Sequence, residues 1–421
     1  MKRTKAIISF LLSTVITLTV NVSVLAFQPT SHCTLIEEIS KDLPKESLIA
    51  KAINTYPNVA NWGANAPDLP YLQPGQVLER SPWADRFHYY KVGTFASTQL
   101  KKALDSKDLK NIAFAAGWVS HITGDLACHG VFVNAECGVY LHNDCTRGLH
   151  KELENNAEIY IFTKFGGNKI SDYNKTIISN KFNNSGDIPF AFMNEVTNEV
   201  YGQSSSETEE SMWTKALQLG INTGIGYNYI DYENSQKILS QNNRISRLES
   251  AFEQAKKHGV TLLTQAESGD YSGFTDRWNL DVGLSKSPMS SLTVTVETGK
   301  SLGAGTDDDI YFSVELKDST VKEWKLDKVN YNDFEYGDSD EYYLYINDIN
   351  FNPKDVAKTY LTKKNVSSIG ADWYLKGFNV NVNGMDVVEK ESNKWIDSSN
   401  NKEIVNVDWS NVTNTSDPSI E

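Results

Sequence analysis

The sequence predicts two domains of different class, an all-α helical domain followed by an antiparallel β-sandwich. Three observations carry that expectation. The chain has 421 residues, more than one hydrophobic core ordinarily serves. From residue 32 to about 267, apolar residues recur at spacings of three and four, the period of a helix. After residue 270 the period becomes alternation, as in Leu292-Thr-Val-Thr-Val-Glu297 and Lys376-Gly-Phe-Asn-Val-Asn-Val382.

The first element is Met1 to Ala26, where Lys2, Arg3 and Lys5 precede an apolar stretch from Ala6 to Leu25. With Val24 and Ala26 placed for cleavage, residues 1–26 are expected to be a signal peptide and the protein to be secreted. Ser13, Thr14, Thr17, Thr19, Asn21 and Ser23 interrupt the stretch and argue against a retained anchor. No later segment is apolar enough to span a bilayer. Without the signal, 37 basic residues face 54 acidic ones, a net charge of about minus 17. Such a surface disfavours nucleic acid and anionic lipid, so neutral, zwitterionic or cation-bridged partners are expected, and a monomer.

The helical domain is expected over residues 27–270. Its clearest segments are Thr94 to Ser106, Leu109 to His129, Leu149 to Lys164 and Glu207 to Leu219. Ser204 to Ser206 followed by Glu207 to Glu210 supplies a capping signal for the last. Within these helices His121, Asp125 and His129 stand at spacings of four, and His150 and Glu154 repeat the spacing. Residues four apart share a helix face, so each set aims its side chains at one point. Imidazole nitrogen with carboxylate oxygen suits zinc. A single such pair is more often a solvated face, but five in register in a chain with 7 His favour a metal site.

Three pairings of Cys33, Cys128, Cys137 and Cys145 are possible in an exported chain. Cys33 follows His32 and Cys128 precedes His129. If both His serve one cluster, Cys33 with Cys128 and Cys137 with Cys145 is the favoured arrangement; free thiols or thiolate ligands are the alternatives. Residues 271–290, with Gly273, Gly283 and Pro288, read as a linker, residues 291–410 as the sandwich, and residues 411–421 as a loose tail.

Upstream stand His32, Asp68 in Gly63-Ala-Asn-Ala-Pro-Asp-Leu-Pro70, and His88 in Trp83-Ala-Asp-Arg-Phe-His88. With these the chain resembles the bacterial zinc-dependent phospholipase C family, in particular its clostridial alpha-toxin-like group. The resemblance implies two to three zinc ions. By position, His88, His121 and Asp125 would hold one, His129, His150 and Glu154 a second, and His32 and Asp125 a third together with the amine of the mature terminus, here Phe27. Asp68 matches the family's Pro-Asp element and would be the general base or water-positioning residue, with orientation of a ligand as the alternative. Three residues between Asp125 and His129, where the family has five, would let both sit on an uninterrupted helix. His142 competes for the second zinc, but only His150 has a carboxylate four residues on. His258 matches nothing and reads as a surface residue.

Clustered zinc suits phosphodiester hydrolysis because it neutralises the phosphate oxygens, lowers the pKa of water to roughly 7 and steadies the leaving alkoxide. The implied substrate is phosphatidylcholine-like phospholipid, split into diacylglycerol and phosphorylated headgroup. Gly303-Ala-Gly-Thr-Asp-Asp-Asp-Ile-Tyr-Phe312 resembles the signature turn of PLAT domains, lipoxygenase-like sandwiches that dock on membranes. It implies calcium at Gly305, Thr306, Asp307, Asp308, Asp327, Asn332, Asp333 and Asp372, hard oxygen donors of the kind calcium takes. Ile369, Trp373 and Tyr374 would enter the phospholipid membrane surface beside it. Two other readings stay open: a related trinuclear-zinc nuclease or 3′-nucleotidase, and a noncatalytic membrane-binding protein.

Overall fold

A computed structural model of the chain describes residues 28–72, 82–137, 147–223, 232–280, 292–328, 332–344, 351–364, 372–382, 385–406 and 409–412. The signal segment, Phe27, Cys145, His142 and Ile369 lie outside them. The chain divides into two compact units between residues 285 and 286.

The first unit is helical. α1 (Pro29–Asp42), α2 (Leu48–Thr55) and α3 (Pro57–Asn65) lead through the 3-10 turn Ala66–Leu72 to α4 (Pro82–Tyr89), α5 (Val92–Ser106) and α6 (Leu109–Ala127). A π-helical turn, Cys128–Val133, follows, then α7 (Asn134–Cys137) and α8 (Arg147–Lys164). α9 (Lys175–Lys181), α10 (Phe190–Tyr201), α11 (Glu207–Thr223), α12 (Tyr232–Leu239) and α13 (Arg244–Glu267) complete the unit. Local chemistry accounts for the starts. Pro57 opens α3, where its missing N–H costs nothing. Asp108 caps α6 through Lys110 N at 2.8 Å and Asn111 N at 3.2 Å. Ser206 and Glu209 form a reciprocal capping box before α11.

α6 is the central helix and is buried from Ile112 to Ala127 on every side. A helix that is buried all round forms only inside a ring of other helices. Its contact with α3 runs through glycines on both sides. A Cβ at Gly117 would fall 2.2 Å from Ala60 O, and one at Gly63 would fall 2.1 Å from Phe114 O. That approach brings the turn carrying Asp68 beside the face of α6 carrying His121 and Asp125.

Four sequence expectations are corrected here. Asp125 and His129 do not share an uninterrupted α-helix, because the helix passes into the π turn at Cys128 and the extra residue in that turn re-aims His129. Residues 271–280 are not a linker. Trp278 and Leu280 are buried in the helical core, and Leu280 N donates to His88 O at 2.9 Å. His258 is not a surface residue but is buried with its ring edge-on to Trp278. Cys33 and Cys128 are buried and are not joined to each other. Neighbours along a helix point about 100° apart, so a Cys next to a His that faces the centre points elsewhere.

The second unit is a sandwich of two antiparallel four-stranded sheets in the orders β4-β1-β6-β7 and β3-β2-β5-β8. The strands are β1 (Leu292–Thr298), β2 (Asp309–Leu316), β3 (Val321–Lys325), β4 (Ser339–Tyr343), β5 (Val356–Lys364), β6 (Trp373–Val382), β7 (Met385–Ile396) and β8 (Lys402–Asn406). Alternation sets which face is buried: Leu292, Val294 and Val296 of β1 face the core while Thr293 and Thr295 are half-buried.

Gly117→Ala should destabilise the helical unit by about 1–3 kcal/mol through overpacking against α3. Urea unfolding followed by circular dichroism at 222 nm measures it; an unchanged midpoint would mean that the two helices can part at no cost.

Candidate metal centre

Three helices and one turn converge on Asp125. On α6, His121 Nε2 lies 3.2 Å from Asp125 Oδ2, the separation that a four-residue spacing produces. His32 of α1 comes to 3.5 Å from Asp125 Oδ1, and its ring stacks on His121 with centroids 4.2 Å apart. His88 at the end of α4 comes to 3.7 Å from Asp125 Oδ2 and 3.4 Å from His121 Nε2. Oδ1 of Asp125 therefore faces His32, and Oδ2 faces both His121 and His88. Asp68 completes the group, with Oδ1 at 3.1 Å from His88 Nε2 and Oδ2 at 3.8 Å from His32 Nε2.

A second group lies beside it. His150 and Glu154, four apart on α8, meet at 2.7 Å, and His129 Nε2 reaches the same Glu154 oxygen at 3.3 Å. Three sets have ligand atoms within 4.8 Å of one another and are buried throughout: His32, His121 and Asp125; Asp68, His88 and His121; His129, His150 and Glu154.

Backbone carbonyls fix three of the rings. Nδ1 of His88 contacts Ala84 O at 2.7 Å and Nδ1 of His121 contacts Ala64 O at 2.9 Å. His129 Nδ1 contacts Leu280 O. A carbonyl can only accept, so each Nδ1 carries a proton and Nε2 is the nitrogen left facing the centre, the arrangement that orients histidine for a metal. These anchors escaped sequence reasoning because a carbonyl leaves no residue-type signal. Ala84, one turn before His88, was the one that spacing could have supplied.

The donors fit a metal on one further test. Both oxygens of Asp125, Asp68 Oδ2 and Glu154 Oε2 are buried without a hydrogen bond. Leaving buried carboxylate oxygens unpaired costs several kcal/mol, which a bound cation would offset. Imidazoles with carboxylates favour zinc over harder ions.

Electrostatics sorts the acids. Burial would raise Asp125, but His121, His32 and His129 outweigh it and hold the carboxyl well below its usual range. Glu154 is likewise held down, His150 and His129 overcoming burial. Asp68 goes the other way: burial pushes it well up, with Asp125 and Glu154 adding to the push against His121 and His129. Burial, with the neighbouring His121 adding to it, pushes His32 well below the ordinary imidazole value and so toward the ligating form. The thiols of Cys33 and Cys128 are both pushed up by burial, which makes them poor thiolate ligands.

In the second unit the loops assigned to calcium lie together. Thr306 N donates to Phe334 O at 3.3 Å, and Tyr374 N donates to Ala304 O at 3.0 Å. Asp307, Asp327, Asn332 and Asp372 are exposed and Gly305 is half-buried. Asp308 is not a free oxygen donor, because its carboxylate pairs with the buried Lys363 ammonium at 2.6 Å. Thr306 Oγ1 accepts from Asp308 N at 3.1 Å. Asp333 accepts from Lys328 N at 3.0 Å and from the Tyr342 hydroxyl at 2.8 Å.

Trp373 is corrected as a membrane contact, since it is fully buried and donates its indole N–H to Thr298 Oγ1 at 3.0 Å. Alternation along β6 turns it inward. Tyr374 is half-buried, its ring over Gly299 and 5.2 Å from that of Trp395. The large apolar side chains exposed in this region are Leu302, Tyr336 and Trp395, at 100%, 57% and 41%.

Comparison with known proteins follows the same division. Residues 31–210 match the family model for zinc dependent phospholipase C, and residues 292–407 match that for the PLAT/LH2 domain. Among curated proteins, phospholipase C of Clostridium novyi is 39% identical over 108 residues, 26% of this chain and 27% of that protein. A phospholipase C of Clostridium perfringens is 31% identical over 139 residues, 32% of this chain and 34% of that protein. The matched stretches thus span about a quarter to a third of those relatives. A crystal structure of Clostridium perfringens alpha-toxin from an avian strain is 16% identical and covers 90% of this chain and 97% of its own, with a TM-score of 0.29, too low to carry an argument.

Ligation needs neutral imidazole and ionised carboxylate, so protons compete with the metal. Zinc returned to chelator-stripped protein should raise the melting temperature at pH 7. The gain is present at neutral pH and should shrink as acid protonates the ligands, His32, which burial pushes well down, holding out to lower pH than an ordinary imidazole. Scanning fluorimetry across pH reads this, and a gain that does not shrink as pH falls would count against the histidine ligands.

Proposed function

The chain carries a zinc-dependent phospholipase C domain followed by a PLAT domain, and on that premise we propose that it is a secreted phosphodiester hydrolase acting on phosphatidylcholine-like phospholipids. The products would be diacylglycerol and a phosphorylated headgroup. One observation carries the reading: His32, Asp68, His88, His121 and Asp125 stand buried beside His129, His150 and Glu154, with carboxylate oxygens that no protein donor satisfies.

His88, His121 and Asp125 would hold one zinc, His129, His150 and Glu154 a second, and His32 with Asp125 a third. Zinc there supplies positive charge for the phosphate oxygens and makes water more acidic. The chain's part is position and proton transfer. The Nδ1 anchors keep His88, His121 and His129 from turning. Asp125, held ionised, keeps negative charge between two sets of imidazoles. Asp68 is the one acid that the site pushes toward the protonated form, so it is suited to take the proton of the attacking water and hold it. Its short contact to His88 fixes the direction of its carboxylate.

The PLAT domain would bring the site to its substrate. Calcium held by Gly305, Thr306, Asp307, Asp327, Asn332, Asp333 and Asp372 would bridge this acidic chain to lipid phosphate. The apolar contact is assigned to Leu302, Tyr336 and Trp395. The loops of Leu302 and Tyr336 adjoin, since a Cβ on Gly305 would meet Phe334 O at 3.1 Å and Tyr336 N at 3.5 Å and Lys300 lies along Gly337, while Trp395 on β7 stands 5.2 Å from Tyr374, whose ring lies over Gly299. Amphipathic aromatics beside a lysine suit the headgroup layer. No helix among the described residues is long and apolar enough to cross a membrane.

Zinc-loaded mature protein should release diacylglycerol from phosphatidylcholine vesicles, and Asp68→Asn should lower kcat by 10²-fold or more, within the range for loss of a general base. Thin-layer or mass-spectrometric lipid analysis reads the product; absence of diacylglycerol from the unmutated chain would sink the assignment. Leu302→Asp combined with Tyr336→Asp should raise the lipid concentration needed for half-maximal vesicle binding by about tenfold or more. Hydrolysis of a short-chain monomeric substrate should stay unchanged, and co-sedimentation in calcium and in chelator separates the two contributions.

A further inference from the structure

Glu158 continues the row that His150 and Glu154 begin, one turn further along α8. It is fully buried, but it does not face the metal centre. Its carboxylate turns to the start of α1, where Oε1 accepts from Thr30 N at 2.9 Å and Oε2 accepts from Ser31 N at 2.9 Å and from the Ser31 hydroxyl. The residue that should cap this helix, Gln28, makes no side-chain cap bond. Its amide instead donates to Asn155 Oδ1 at 2.8 Å, again on α8. α1 is thus capped from a helix more than a hundred residues away. The backbone N–H groups at a helix start are unsatisfied within the helix, so a buried side chain that accepts from them fixes both the position and the rotation of the first turn. His32 is the residue directly after the capped Ser31.

We propose that Glu158 is a positioning residue that sets His32 at the metal centre by capping α1 from α8, the helix that also carries His150 and Glu154. A single face of α8 then serves both groups: two side chains enter one ligand set, and the third fixes the helix that supplies a ligand to the other. The inference rests on the reading of His32 as a zinc ligand.

The experiment compares Glu158→Ala, Glu158→Gln, Ser31→Ala, His32→Ala and the double variant Glu158→Ala/His32→Ala in the full mature chain. Zinc bound per chain is measured by mass spectrometry of the metal after dialysis against graded zinc buffers. Circular dichroism reports folding, and kcat and KM are measured on short-chain phosphatidylcholine. Glu158→Ala should keep its helical signal, bind the zinc that depends on His32 at least tenfold more weakly, and leave the remaining zinc as in the unmutated protein. Its kcat should fall with KM changed less than twofold, and Glu158→Gln, which retains one acceptor, should recover part of both losses. The double variant should be no worse than His32→Ala alone. A Glu158→Ala zinc isotherm identical to the unmutated one overturns the proposal, as do losses that multiply in the double variant. If Glu158→Ala does not fold, Ser31→Ala decides, since it removes one donor to the same carboxylate: weaker zinc binding supports the role, and an unchanged isotherm overturns it. An unmutated chain that binds no zinc fails the functional reading itself and takes this inference with it, a result distinct from a variant that merely behaves like its parent.

Discussion

Asp125 is a carboxylate sealed in the middle of a protein with its charge retained. The imidazoles around it keep it ionised, yet neither of its oxygens receives a hydrogen bond. An arrangement of this kind is costly unless something positively charged completes it. Much of the helical unit follows from that requirement. The glycines between α3 and α6 allow the turn with Asp68 to come close. The stretch that closes over residue 280 brings a carbonyl to His129. The face of α8 supplies a second carboxylate with its own two imidazoles. Each element places a donor or restrains one.

Rigidity in this centre comes from the backbone. Three rings are held at Nδ1 by carbonyls from three separate segments: α4 itself, the end of α3, and the residues after α13. Because main-chain atoms move only when their segment moves, the Nε2 lone pairs are set by the fold and not by the side chains' own rotamer preferences. A centre built this way would need little reorganisation when metal or substrate arrives, which is where electrostatic catalysis gains most. Among the acids that face this centre, Asp68 is the one pushed toward protonation, and it sits on a 3-10 turn and not within an α-helix.

The sandwich uses its charges differently. Lys363 with Asp308 is a buried pair, and the half-buried Lys328 meets the buried Asp340 at 2.7 Å; both tie loops to strands. Asp340 also accepts from Phe334 N at 2.9 Å, which holds the loop that carries Tyr336. Internal lysines thus organise part of the loop framework, and the exposed acids Asp307, Asp327 and Asp372 are left facing solvent. Leu302 and Tyr336 stand out from this framework on turns that need glycine, with Gly303 at φ 74° and Gly337 at φ 76°.

Sequence alone determined the two fold classes, because hydrophobic period is a local property: three-to-four spacing up to the 260s and alternation after 290. It also determined the pairs within one helix, His121 with Asp125 and His150 with Glu154, since spacing of four fixes them before any tertiary contact forms. It could have reached Glu158 by the same rule, and stopped one turn short. Other features depended on the tertiary structure. Trp373 reads as an aromatic beside a loop, and only the register of β6 turns it inward. Cys33 and Cys128 sit next to centre-facing histidines in the chain, but helical rotation keeps the thiols apart. Residues 271–280 have linker composition and yet fill the core, because Trp278 and Leu280 find an apolar surface made by helices far away in sequence. The meeting of Asp68, His88 and His32 with Asp125, and the carbonyls that aim the rings, join segments tens to more than a hundred residues apart. Contacts of that range leave no periodic trace in a single chain, and packing alone decides them.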